Sequence, residues 1–143
     1  MAERVVTELD HTPVIIGVGE ASEQIDAAGY RALSPADLAG EAAVAALDDA
    51  LGRAKLAPHV SVIAAIRQFE NSGLAHAPFG RADNFPRAVA RRVGANPARA
   101  ILEPVGGQGP QHLVNEFARA IGAVPCLSPT PRSPRCALRY GSA

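Results

Sequence analysis

Two rhythms of hydrophobic residues alternate along the chain. Pro13 to Val18 (PVIIGV) is a short, continuous, β-branched run closed by Gly17 and Gly19, which predicts a strand buried on both faces. Residues 20–33, with Gly29 and no sustained periodicity, predict a loop. Ser34-Pro35-Ala36-Asp37 then has the chemistry of a helix start: Ser34 as cap, proline in the first turn and an acid three residues after the cap. Leu38, Ala42, Ala46, Leu47, Ala50 and Leu51 fall on one helical face, with Glu41, Asp48 and Asp49 away from it, and Gly52 and Pro58 bracket the end. Val60 to Phe69 (VSVIAAIRQF) predicts a second strand, and residues 70–83, with Gly73, Pro78 and Gly80, a loop. A short basic helix follows from Pro86 to Gly94, with Ala88, Val89, Ala90 and Val93 apolar and Arg87, Arg91 and Arg92 charged. Arg99 to Val105 predicts a third strand, limited by Pro104. The turn Gly106-Gly107-Gln108-Gly109-Pro110 leads into a helix through Ile121, striped by Leu113, Val114, Phe117 and Ile121.

The order β-α-β-α-β-α implies an α/β fold with a mostly parallel sheet and right-handed crossovers. The last 22 residues depart from it, with Pro125, Pro129, Pro131 and Pro134 within ten positions. Proline donates no ladder hydrogen bond, so this stretch is not a central strand and is expected to be irregular.

With 143 residues, 48% hydrophobic and 20% charged, the chain has the means for one packed domain. Aromatics are only 4% and Ala supplies 29 residues, so helices in such a core approach closely. No apolar run reaches the ~20 residues of a membrane span, and the N-terminus lacks the order of a secretory signal. A cytoplasmic location is expected, with no membrane partner. The fourteen basic and fourteen acidic residues cancel, which excludes a strong global field for nucleic acid. Residues 1–50 carry ten acids against Arg4 and Arg31, whereas residues 51–143 carry twelve bases against four acids. The basic part reads either as a phosphate-binding surface, for a nucleotide or coenzyme A, or as a solvated face. Cys126 and Cys136 have no zinc or redox spacing, and no metal site is expected.

Few residues carry recognisable chemistry. Gly17-Val18-Gly19-Glu20-Ala21-Ser22 partly matches a dinucleotide-binding turn, but Ser22 replaces the third glycine and the helix starts a dozen residues later. A strand-terminal turn is the reading those departures favour. The Gly106-Gly107-Gln108-Gly109 turn, placed between strand and helix, is where a nucleophile or oxyanion sits over backbone N–H groups. Gln108 hydrogen-bonds but is no nucleophile, so a purely structural turn stays open. His11, His59, His76 and His112 share no metal spacing, and His112 and Glu116, one helical turn apart, form a possible surface pair. The sequence alone does not assemble Glu20, Glu103 and Glu116 into a site.

Three stretches together resemble the N-terminal half of the thiolase family, in its acetyl-CoA acetyltransferase-like branch. They are Thr12–Gly19, Ser34–Ala39, and Val105-Gly106-Gly107-Gln108-Gly109-Pro110-Gln111 followed by Leu113-Val114-Asn115-Glu116. The third is the specific one, and the match runs over residues 10–121. The resemblance implies a three-layer, thiolase-like α/β half domain over residues 1–121, incomplete by itself, with residues 122–143 as a Pro-rich tail, irregular or out of frame. It also implies acyl-coenzyme A as substrate, acyl transfer or Claisen condensation as chemistry, and no bound cofactor. The family carries an acylatable Cys at the start of the helix after the third strand, and Gln108 stands at that position. Gly106, Gly107 and Gly109 would line the substrate side of the turn. The family's catalytic His and second Cys come from its C-terminal half, to which nothing here corresponds. An acyltransferase fragment without catalysis of its own is therefore expected, paired as a homo-oligomer or with a complementary thiolase-like chain. The other reading is a non-catalytic α/β module that binds coenzyme A or a nucleotide.

Overall fold

A computed structural model describes residues 12–68 and 77–123. Five helices or strands of useful length follow in order: α1 (Pro35–Ala50), β1 (Val62–Ile66), α3 (Phe85–Val93), β2 (Arg99–Glu103) and α4 (Gly109–Gly122), with the four-residue α2 (Arg53–Leu56) and a 3₁₀ turn (Ala57–His59) after α1. The strands β1 and β2 pair in parallel, Val62 opposite Arg99 through Ile66 opposite Glu103. Ile63 and Ala65 meet the core around α3, whereas Val62 and Ile66 face α4. Alternation along β1 thus sends successive side chains to two helical layers. The expected α/β architecture with a parallel sheet is present.

Helix α3 is the hub of the core. Its Phe85, Ala88 and Val89 cluster with Ala36 of α1, and Ala39, Ala43, Ile63 and Ala65 close around them. Its Ala90 and Val93 join Ala57 and Ala95 in a second cluster that Ala43, Leu47, Val60 and Ile63 complete. Small residues let α1 and α3 come this near: a Cβ added to Gly40 would lie 2.9 Å from both Cβ and Cδ of Arg92. Both ends of α3 are fixed locally. Asn84 Oδ1 accepts from the Arg87 N–H at 3.0 Å. Gly94, at φ 77°, lets the Ala95 N–H turn back to the Ala90 carbonyl at 2.9 Å, a C-terminal motif that favours glycine.

The helix start expected at Ser34 is present, its hydroxyl accepting from the Asp37 N–H at 3.1 Å. The packed face matches the expected one at Leu47 and otherwise differs. Ala36, Ala39, Gly40, Ala43 and Leu47 turn to the core, and Leu51 is 65% exposed. Ala42, Ala46 and Ala50 instead meet Gly17 and Gly19.

Pro13 to Val18 is the main correction. The segment pairs with no strand among the described residues, and Val14, Ile15, Ile16 and Val18 are 64–77% exposed. Gly17 and Gly19 lie so close on the α1 backbone at Ala42 and Ala46 that any Cβ would overlap it. The Val18 N–H donates to Asp49. The glycine pair therefore serves close approach to a helix, neither closing a strand nor cradling a phosphate. The other strands are shorter than expected: the second is Val62–Ile66 rather than 60–69, and the third stops at Glu103, before Pro104. Phe69, Gly73, the tail prolines, Cys126 and Cys136, and His11 and His76 lie outside the described residues.

Arginines fasten these elements. Arg92 pairs with Asp37 across the α1–α3 crossing and donates to the Ala88 carbonyl. Arg87 donates to the carbonyls of Pro97 and Ala98, at 2.6 and 3.3 Å, and so fixes the entry to β2. Arg53 Nε donates to the Val93 carbonyl at 2.9 Å. Arg31 bridges Glu23 and Glu41 and pulls the loop over 20–33 onto α1. Glu23 also accepts from the Arg31 and Leu33 N–H groups, and Ala32 between them is held at φ 54°. These contacts shift the acids. Hydrogen bonds from Arg92 and Ser34 hold the Asp37 carboxyl below its ordinary value, and the Arg31 hydrogen bond does the same for Glu41.

Two outcomes follow from this packing. Gly40→Val is expected to cost about 1–3 kcal/mol, because overpacking forces the crossing apart. Gly29→Ala, with open space around it, is expected to change stability by less than about 0.5 kcal/mol. Urea unfolding compares the two, and equal losses would contradict the close crossing. Asp37 and Glu41 release their protons more readily when folded, so their stabilisation is complete above the ordinary carboxylate range and is lost as pH falls through and below about 4. Asp37→Asn should flatten that acid limb of a stability–pH curve and leave the neutral limb parallel to the original.

Candidate functional site

The strand β2 runs out at Pro104, and Val105 to Gln108 turn the chain into α4. The turn closes with the Gly109 N–H donating to the Gly106 carbonyl at 3.0 Å. Gly109 is buried against β1: a Cβ there would come 2.5 Å from Ile66 Cδ1, so glycine at this position lets the helix start touch the sheet. Gly107 has open space around it. Gln108 occupies the cap position of α4, in helical conformation, and its side chain makes no capping bond. Its amide folds over Gly106, where an added Cβ would meet Nε2 and Oε1 at 3.0 Å. The structure thus puts Gln108, Gly106 and Gly109 in one turn, with an exposed carboxamide at the start of a fourteen-residue helix. A carboxamide can orient a carbonyl group by hydrogen bonding, but it holds no acyl group covalently.

One turn into α4, His112 Nδ1 lies 3.0 Å from Glu103 Oε1 at the end of β2. The expected partner, Glu116, is 4.0 Å from Nε2 and is engaged by Arg119. Glu103, His112 and Glu116 are therefore brought together, while Glu20 is elsewhere, exposed at the start of the 20–33 loop. The strand's end supplied the signal that spacing within the helix missed: Glu103 and His112 flank the same strand-to-helix turn. These groups stand at one side of a groove of about 440 Å³ between the sheet and α4. Val62, Ile101, Leu113 and Phe117 give it an apolar lining. A second cavity of about 100 Å³ near Ser34, Phe85 and Arg92 is smaller and borders the scaffold's ion pair. The acids held below their usual range, Asp37 and Glu41, belong to that scaffold and not to the groove.

Among the described residues, no group of three or more His, Cys, Asp or Glu side chains is arranged to hold a metal ion. No helix among them is long and apolar enough to cross a membrane.

Comparison with solved structures bears on the fold. The chain is similar to a monomeric SCP2-thiolase-like protein type 1 from Mycobacterium smegmatis, with 41% sequence identity and a TM-score of 0.62. The similarity covers 79% of this chain and 21% of that structure, so the chain spans about a fifth of the length of the protein it matches. No protein-family model matches the chain, and no curated protein matches it. The fold is thiolase-like.

Proposed function

We propose that this chain is a piece of a thiolase-like, acyl-coenzyme A-binding protein of the acetyl-CoA acetyltransferase-like branch, working in the cytoplasm and unable by itself to carry an acyl group through the chain. The observation that carries this reading is Gln108 at the cap of α4, in a strand–turn–helix whose fold is shared with an SCP2-thiolase-like protein at 41% identity. The thiolase family places its acyl-accepting cysteine at this helix start. Acyl transfer through such a residue needs a thiolate or another nucleophile to replace the departing thiol. A carboxamide offers none, so the turn retains the capacity to orient a thioester carbonyl and loses the capacity to be acylated.

A pairing role for the chain draws on a separate observation. Val114 and Ile121 on α4 and Leu102 on β2 are 41–52% exposed, which gives the sheet–α4 unit apolar surface available to a second chain. The partner in this reading is another copy or a complementary thiolase-like chain.

Two measurements address these readings. After incubation with acetyl-coenzyme A, peptide mass mapping is expected to find no acetyl group on the peptide containing Gln108, and to find one on the same peptide of the Gln108→Cys variant. If that peptide stays unmodified in a folded Gln108→Cys variant, the placement of this turn at an acyl-accepting position is contradicted. Sedimentation at micromolar concentration is expected to show species larger than one chain, and a clean monomer would remove the pairing role.

A further inference from the structure

We propose that Glu103 and His112 form a general-base dyad that hydrolyses small esters and thioesters held in the groove beside α4. This goes beyond the acyl-binding role and rests on it only for the natural substrate class, an acyl thioester. Three features combine here. The first is the dyad itself: Nδ1 of His112 lies 3.0 Å from the Glu103 carboxylate, at ion-pair distance, which turns Nε2 outward as the base. The second is the state of that second nitrogen. The charged group facing it is Glu116, at 4.0 Å, beyond hydrogen-bonding distance and tied to Arg119, while Arg99 lies elsewhere along the same groove. The third is the groove, about 440 Å³ with Val62, Ile101, Leu113 and Phe117 along it, a size and lining suited to a short acyl chain.

The dyad spans two elements, which is what orients it. Glu103 ends β2 in register with Ile66, and Gly109 presses α4 onto that same Ile66. The imidazole, one turn further along α4, is thereby held at a fixed distance from the carboxylate. Glu103 is a positioning residue; His112 is the catalytic one.

In the reaction, Nε2 takes a proton from a water molecule as its oxygen forms a bond to the acyl carbon. The carbonyl electron pair moves to oxygen and returns as the carbon–sulfur bond breaks. The imidazolium proton passes to the departing thiolate, giving a carboxylic acid and a thiol. Water is the only co-reactant, and no protein nucleophile is used, so the chemistry is compatible with Gln108.

The test uses the whole chain with p-nitrophenyl acetate, which needs no coenzyme recognition, and in parallel with acetyl-coenzyme A. The p-nitrophenyl acetate rate is expected to rise with pH, because only a neutral imidazole accepts a proton. His112→Gln should lower it at least ~30-fold and flatten the profile, in keeping with the ~10²–10⁴-fold reach of a positioned base. Glu103→Gln should lower kcat about tenfold with KM unchanged, and Glu103→Asp should recover part of the loss. His59→Gln, at an exposed histidine outside the groove, should leave the rate as it was. Circular dichroism guards against misfolding, and both substituted side chains are partly exposed. A rate unchanged in His112→Gln, or no hydrolysis of either substrate, overturns the dyad. Histidine-dependent hydrolysis of p-nitrophenyl acetate without hydrolysis of acetyl-coenzyme A supports the dyad and counts instead against the coenzyme reading.

Discussion

The close crossing of α1 over α3 is the constraint on which the rest of the described structure depends. Gly40 leaves room for the Arg92 side chain, and the alanines along the same side of α1 leave room for Phe85, Ala88 and Val89. At that distance Arg92 reaches Asp37, and the first turn of α1 is tied to the last turn of α3. Alanine gains little from burial per residue, so the helices must come close for dispersion and apolar burial to accumulate. The high alanine content and the scarcity of aromatics are thus the compositional face of one packing solution.

From that crossing, order passes outward to the candidate site in short mechanical steps. A pinned α3 presents Arg87 to the carbonyls of Pro97 and Ala98, and these set where β2 begins. The register of β2 on β1 then places Glu103 opposite Ile66. Gly109 rests on Ile66, which sets the start of α4 and with it Gln108 and His112. The site itself contains no strongly buried charge. Its precision depends on backbone contacts at glycine and on hydrogen bonds from arginines some distance away.

The sequence was legible where local chemistry determines structure. Ser34 and Pro35 announce α1, Gly94 closes α3, and Pro104 ends β2, because caps and breakers act within a few residues. It was misleading where one pattern has two physical uses. A β-branched run ending in glycines suits a buried strand, yet Pro13–Val18 lies on α1 because Gly17 and Gly19 permit backbone-to-helix contact. Arginines on a short helix suit a solvated face, yet Arg87 and Arg92 span to other elements, which no periodicity reveals. The turn around Gln108 was readable from its glycines. The Glu103–His112 pair was not, since its members are nine positions apart on different elements and only the folded turn brings them together.

The proposed function joins two features: a thiolase-like fold, and a carboxamide at the cap of α4 that we propose stands where an acyl group would be oriented. Isothermal titration of the chain with coenzyme A, beside an equal titration with a dinucleotide, tests that account most directly. Saturable heat with coenzyme A and none with the dinucleotide is the predicted result. No heat with coenzyme A, or equal binding of both, would contradict it.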